Sequence, residues 1–302
     1  MYTKIVIPLD GSKTAEKVLP YARYLAGALK VPVELLAVID VAEVASHIPA
    51  EKARFLNTMI EDGVHNSERY LRTIAASFNG ANVACSVDKG RAEDAIVEHA
   101  HKDANTLITM ATHGRSGMNR FMLGSIAEKV LRATSNPLLL VRASDEIKAE
   151  SAAAIKSIIV PLDGSDLAES ILPAAVDIAK KLNAEIILFR AYNIPYGAYS
   201  TGDGFYDPVN LDALLSSVKD EATEYLARKA AELKGSGCRV SVVAKEGFSA
   251  DEIITVGRET KDSMVAMCTH GRSGVKRVVL GSVTETVVRH ASEPVLILRA
   301  AN

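Results

Sequence analysis

The chain has 302 residues, enough for about two domains. It is 48% hydrophobic and 24% charged, which excludes disorder of the chain as a whole. Lys and Arg number 35 against 37 Asp and Glu, a formal net charge of −2, so there is no basic excess for non-specific binding to nucleic acid.

The chain opens on a short apolar strand, Ile5-Val6-Ile7-Pro8-Leu9. Residues 14–29 then place Ala15, Val18, Leu19, Ala22, Leu25, Ala26 and Leu29 on one face at helical spacing. The pattern continues with a strand over Val33 to Ile39, a long helical stretch around Ala50 to Phe78 and a strand over Ala81 to Val87. A helix over Ala92 to His101 and a strand over Thr106 to Ala111 follow. A helix over Ser125 to Ala133 and a strand over Pro137 to Val141 complete the set. Strands alternating with helices predict a parallel sheet covered on both faces.

The whole pattern then repeats. KIVIPLDGS at 4–12 returns as KSIIVPLDGS at 156–165, THGRSG at 112–117 returns at 269–274, and LGS at 123–125 returns at 280–282. Asp10 and Asp163 are 153 residues apart, whereas Gly90 and Gly247, and Gly124 and Gly281, are 157 apart. The second copy therefore carries four extra residues, expected in the Gly-, Pro- and Tyr-rich stretch from Tyr192 to Asp207. The fold expected is α/β: two tandem five-stranded parallel-sheet layer domains, residues 1–143 and 156–302, joined by a linker at 144–155. Pro137–Val141 and Pro294–Leu298 are apolar enough to pair within one chain, an internal pseudo-dimer that a homodimer could extend.

No apolar run approaches the roughly 18 residues needed to span a bilayer, and Ile5-Val6-Ile7 is too short for a signal-peptide core. Cys85, Cys238 and Cys268 form no metal-binding spacing. A sparse, odd cysteine set suits a reducing cytoplasm, where the protein is expected.

In parallel α/β sheets ligands bind beyond the carboxyl ends of the strands, where the strand order reverses. Three segments should meet there. The first is Pro8-Leu9-Asp10-Gly11-Ser12 and its repeat through Asp163. An Asp in that place can accept from ribose hydroxyls, or Asp10 or Ser12 can cap the next helix. The second is Thr112-His113-Gly114-Arg115-Ser116-Gly117, then Leu123-Gly124-Ser125 and a helix. Glycines admit a phosphate close to the backbone, and a helix N-terminus attracts anions. Ser125 with Glu128, and Ser282 with Glu285, equally read as capping boxes. Arg115, Arg120, Arg272 and Arg277 can serve an anion or solvent, and His113 and His270 can touch phosphate or fix the loop. The third is the strand end at Val38, whose main chain could meet a base.

Together these residues resemble the universal stress protein family, twice over and across nearly the whole chain. ATP-binding members share a Gly, two residues, Gly, nine residues, Gly and then Ser or Thr. Gly114 with Gly124-Ser125, and Gly271 with Gly281-Ser282, match it, while Ala111 and Cys268 stand where the first Gly belongs. The resemblance implies a Rossmann-like fold of the adenine nucleotide alpha hydrolase type. It also implies an adenine-nucleotide site built from Asp10, Val38, Gly114, Gly117, Gly124 and Ser125. In the second copy the site is Asp163, Ala191, Gly271, Gly274, Gly281 and Ser282. ATP, ADP or AMP is the implied ligand; Mg²⁺ could accompany the phosphates, with no carboxylate ligand named. The implied role is a nucleotide-dependent module in stress signalling, acting on a protein partner that the sequence does not identify. A nucleotide-free scaffold and a slow ATPase or autokinase are the alternatives.

No GxxxxGK[ST] loop, HExxH motif or GxGxxG after the first strand is present. No residue is nominated as a catalytic base, and no metal ligand is assigned.

Overall fold

The computed structural model describes residues 2–46, 49, 54–113, 123–142, 148–150, 152–194, 208–269 and 280–299. Contacts divide the chain into two units.

The first unit comprises Met1–Ala154 with Pro294–Arg299. Its strands are β1 (Lys4–Pro8), β2 (Val33–Ile39), β3 (Val83–Lys89), β4 (Thr106–Ala111) and β5 (Leu138–Val141). They lie in the order β3-β2-β1-β4-β5, all parallel, with Ile5 opposite Val33 and Leu107. Strands β1, β4 and β5 are buried over nearly their whole length, and Ile5, Val6 and Ile7 are fully buried. Burial on both sheet faces is what turns these segments into continuous apolar runs.

The sixth strand of this unit is β10 (Val295–Leu298), which belongs to the second sequence copy. It runs antiparallel to β5, with Val295 opposite Leu140 and Ile297 opposite Leu138. The two apolar strands that close the two copies thus cover each other's edge, which would otherwise be an open template for association.

The second unit holds β6 (Ser157–Pro161), β7 (Glu185–Tyr192), β8 (Val240–Glu246) and β9 (Ser263–Cys268), parallel and ordered β9-β6-β7-β8. Each copy thus contributes five strands to an α/β architecture.

The helices depart from the expected pattern where proline intervenes. Residues 14–29 form a short 3-10 turn, Ala15–Val18, and then α1 (Leu19–Leu29). Pro20 in the first turn of α1 lacks an N–H and suits a new helix start better than a helix interior. The second copy repeats the break: α6 (Asp166–Glu169) gives way to α7 (Leu172–Leu182), with Pro173 in its first turn. The helix expected around Ala50 to Phe78 is α3 (Leu56–Ala75), and a short helix that was not expected, α2 (Val41–Ser46), precedes it. Asp40 starts α2 by accepting from the Ala42 and Glu43 amides at 3.0 Å each. The remaining helices are α4 (Ala92–His101), α5 (Ser125–Ala133), α8 (Pro208–Lys234), α9 (Ser249–Glu259) and α10 (Ser282–His290).

Tyr70 on α3 donates to Glu16 at 3.3 Å, and Tyr225 on α8 donates to Glu169 at 2.7 Å. Those tyrosines are 155 residues apart, not 153 or 157. Two of the four extra residues therefore precede Tyr225. The other two follow it, before Val240, the counterpart of Val83 in strand register. The expectation that all four lie between Tyr192 and Asp207 is corrected accordingly.

Candidate functional site

The strand order reverses between β1 and β4 in the first unit and between β6 and β9 in the second. A crevice at the carboxyl end of such a pair is where α/β sheets take ligands. Asp10 follows β1, and Thr112 and His113 follow β4, so both flank that point.

The Asp10 loop is a fixed turn. The Leu9 amide donates to the Leu36 carbonyl at 2.8 Å, prolonging the ladder one residue past β1. Asp10 Oδ1 accepts from the Ser12 amide at 2.9 Å and the Ser12 hydroxyl at 2.6 Å. Ser12 Oγ accepts from the Ala15 amide at 3.0 Å. Gly11 sits at φ 80°, a conformation that favours glycine. The second unit repeats this: Asp163 Oδ1 accepts from Ser165 N and Oγ at 3.0 and 2.6 Å, Ser165 Oγ accepts from Ala168 at 3.2 Å, and Gly164 has φ 87°. In the second unit the serine is the helix cap, in the first it accepts from the residue that opens the 3-10 turn, and in both the aspartate orients the serine.

Strand parity places the Val38 main chain. Leu36 and Val38 are two apart, so both direct their main-chain groups to the β1 side. Leu36 O takes the last rung, from Leu9, which leaves Val38 past the end of that ladder. Ala191 stands in the same relation to Phe189, whose carbonyl accepts from Leu162 at 2.8 Å.

The third component is the entrance of α5. Gly124 is the cap residue, with φ −60° and ψ 146°, and no side chain caps the helix. Ser125 is the first helical residue and is exposed. The capping-box reading of Ser125 with Glu128 is therefore wrong by one position, and the same holds for Ser282 behind Gly281. Glu128 pairs with Arg132 at 3.0 Å and Glu285 with Arg289 at 2.8 Å. The physical reason is tertiary. The Gly124 amide donates to the Thr112 carbonyl at 2.8 Å, and a Cβ on Gly124 would lie 2.7 Å from that oxygen. Gly281 donates to Thr269 at 2.8 Å in the same way. The glycine required for this close approach occupies the cap position and displaces the serine into the first turn. The amides of Ser125, Ile126 and Ala127 then open the helix without an intrahelical acceptor, as first-turn amides do.

His113 Nδ1 lies 3.0 Å from Thr112 Oγ1, which favours the loop-fixing reading of this histidine. Gly114, Gly117, Gly271, Gly274, His270, Arg115, Arg120, Arg272 and Arg277 lie outside the described residues. Asp10, Val38, Gly124 and Ser125 border one sheet end, and Asp163, Ala191, Gly281 and Ser282 border the other.

Ala111 and Cys268, which stand in place of the first motif glycine, are both buried. Burial raises the Cys268 thiol above its ordinary range, with Ser170 opposing weakly at 3.1 Å. It is a packed, buried thiol.

Sequence reasoning missed the Glu169 cluster beside the second loop. Glu169 accepts from Tyr225 and pairs with Lys229 at 2.9 Å. Burial pushes the Glu169 carboxyl up, but the Lys229 and Tyr225 hydrogen bonds outweigh it and hold it below the usual range. Burial and then Glu169 push the Tyr225 phenol up, and the Arg190 guanidinium sits over its ring at 4.8 Å. The repeated tyrosines were the available signal, hidden by their odd spacing. Tyr225→Phe should cost about 1–2 kcal/mol, one hydrogen bond to a charged acceptor, read as a lower urea midpoint.

Two matches to the Universal stress protein family model cover residues 1–142 and 154–299. Universal stress protein Rv2005c of Mycobacterium tuberculosis is 23% identical over 298 residues, spanning 98% of this chain and 96% of its own. Universal stress protein YxiE of Bacillus subtilis is 30% identical over 143 residues, 47% of this chain and 97% of its own. A crystal structure of a universal stress protein from Archaeoglobus fulgidus shares the fold, with TM-score 0.67 at 18% identity over 99% of this chain and 97% of that one. The chain belongs to the universal stress protein family and carries that family's domain twice.

Proposed function

We propose that each half binds an adenosine phosphate at its strand-order reversal and that the protein is a cytoplasmic nucleotide-dependent module in stress signalling. Adenine would meet the main-chain edge at Val38 or Ala191, and ribose the Asp10 or Asp163 loop. The phosphates would lie on the entrance of α5 or α10, at Gly124-Ser125 or Gly281-Ser282. The observation that carries this reading is that both helices open on a glycine, with an exposed serine in the first turn and no side-chain cap. Such an entrance offers amides and the positive end of a helix dipole to an anion. ATP is the proposed ligand, in keeping with the family pattern.

No group of three or more His, Cys, Asp or Glu that could hold a metal occurs among the described residues. Any Mg²⁺ would therefore be held chiefly by the nucleotide's own phosphates, where it would neutralise their charge. The three cysteines are all free, and no described helix is long and apolar enough to cross a membrane. The domain division at 1–143, 144–155 and 156–302 belongs to the same proposal. So does a switch in which binding orders the glycine loops and so changes the surface offered to a partner protein.

Calorimetric titration of ATP into nucleotide-stripped protein tests this. Binding is expected in the wild type, and Asp10→Ala with Asp163→Ala should weaken it at least about tenfold, the loss of a charged hydrogen-bond acceptor in each half. Absence of heat at millimolar ATP would sink the reading and leave a nucleotide-free scaffold.

A further inference from the structure

The two halves hold their helix entrances differently. In the second unit α10 is tied to the end of β9 by the Gly281 amide on the Thr269 carbonyl at 2.8 Å. A second tie comes from Thr284, whose hydroxyl donates to the Cys268 carbonyl at 3.0 Å. Thr284 is 2% exposed, so water does not compete for this bond. A third contact, Ser170 Oγ to Cys268 Sγ at 3.1 Å, joins the same strand end to the residue that closes α6.

Of these three contacts, the main-chain tie recurs in the first unit, from Gly124 to Thr112 at 2.8 Å. The counterpart of Thr284 is Ala127, that of Cys268 is Ala111 and that of Ser170 is Lys17. Alanine at 127 has no hydroxyl, and alanine at 111 has no sulfur, so neither side-chain contact can form.

Thr284 is the third residue of α10, so its own amide is one of the first-turn donors that an anion would meet. A buried side-chain bond at that residue fixes the direction of those amides before any ligand arrives. Ordering done in advance is not charged against binding.

We propose that Thr284 is a positioning residue that pre-forms the phosphate cradle of the second half, so that the two halves take the same adenosine phosphate unequally, the second more tightly. This rests on the nucleotide reading above and goes beyond it in assigning a rank to the sites and a residue to the difference. One buried hydrogen bond's worth of ordering corresponds to an affinity ratio of about 3- to 10-fold.

The test is ATP calorimetry on nucleotide-stripped full-length protein with one half silenced at a time. Ser125→Asp and Ser282→Asp place a carboxylate at an exposed first-turn position, where it suits the helix dipole but repels phosphate. With Ser125→Asp as background, the second half should bind about 3- to 10-fold tighter than the first half does with Ser282→Asp. Thr284→Val, which keeps the shape and removes the hydroxyl, should abolish that advantage, and Thr284→Ser should restore it. Lys17→Ser with Ala111→Cys and Ala127→Thr should move the first half towards the second; should that variant fail to fold, the Thr284 pair decides. Equal affinities in the two backgrounds overturn the proposal. So does a Thr284→Val protein that melts earlier yet binds as before, which would make the bond structural alone. No binding by the wild type overturns both this inference and the nucleotide reading, whereas equal binding overturns this inference only.

Discussion

Glu34→Ala should lower stability at neutral pH by about 2–4 kcal/mol, because it leaves a nearly buried charge cluster uncompensated. Glu34 on β2 accepts from Lys4 at 2.8 Å and from Ser86 at 2.8 Å, and its Oε1 lies 2.7 Å from His99 Nδ1. His99 on α4 meets Asp88 with its other ring nitrogen at 2.8 Å and is only 8% exposed. Four elements therefore converge on one imidazole and one carboxylate. Burial pushes the Glu34 carboxyl up, but the Lys4 and Ser86 hydrogen bonds and the Lys4 and His99 charges outweigh it, so it titrates below the ordinary value. A carboxyl whose pKa is lowered on folding stabilises the fold above its unfolded pKa, about 4.3 for Glu, and loses that contribution as pH falls through the folded value. Urea midpoints should therefore drop below about pH 4 in the wild type, and the drop should be shallower in Glu34→Ala.

The second half supplies its own control. The counterparts of Lys4, Glu34, Ser86, Asp88 and His99 are Ser157, Ile187, Val243, Lys245 and Val256. Ile187 is buried where Glu34 would be, and Lys245 pairs with Glu259 at 2.7 Å. Transplanting all five residues into the first half, with Lys102→Glu to supply the partner that Glu259 gives Lys245, should be near neutral, within about 1 kcal/mol, since a buried ion cluster and a packed apolar patch of similar volume are close in free energy. A large loss from the transplanted variant, or none from Glu34→Ala, would contradict this account of the cluster.

Gly124→Ala should destabilise the first half by about 1–3 kcal/mol, the range for overpacking a tight contact. The new Cβ would lie 2.7 Å from the Thr112 carbonyl oxygen and 3.3 Å from His113 Cα, both main-chain atoms that cannot rotate away. The backbone at Gly124 is otherwise acceptable to alanine, so the effect is steric and not conformational. Relief requires α5 to move off β4, which displaces the first-turn amides from the crevice, and ATP affinity of the first half should fall at least about tenfold, one or two hydrogen bonds' worth. Gly27, inside α1, meets nothing within 4 Å, so Gly27→Ala should instead stabilise by about 0.5–1 kcal/mol. Thermal melting of the two variants side by side separates close packing from helix propensity.

Elements whose signal is local were legible in the sequence. The segments Val33–Ile39, Ala92–His101, Thr106–Ala111 and Ser125–Ala133 match the expected bounds, because apolar runs and helical spacing are fixed by burial on known faces. The small helix α2 was missed although Asp40 and Glu43 stand at capping-box spacing, because its residues bury nothing and leave no periodic stripe. The bounds of α5 match, but its cap is Gly124 and not Ser125. Ser125-x-x-Glu128 satisfies a local rule, and only the approach of Gly124 to Thr112, twelve residues away in the chain, decides against it. The Glu34–His99 cluster was invisible for the same reason, since its members come from three strands and a helix. At the proposed site, the Asp10 and Asp163 segments stand out in the sequence of both copies. Their internal geometry, with Ser12 and Ser165 accepting from Ala15 and Ala168, settles only when the strand ends are in place.

The most direct measurement is a crystal structure of the full chain grown with saturating ATP. The account predicts electron density for the nucleotide at the β1–β4 strand ends, with phosphate oxygens on the amides of α5, ribose beside Asp10 and adenine along the Val38 main chain. It predicts the same arrangement at β6–β9, around Asp163, Ala191 and Ser282. Nucleotide bound elsewhere on the chain, or both crevices empty under those conditions, would contradict it.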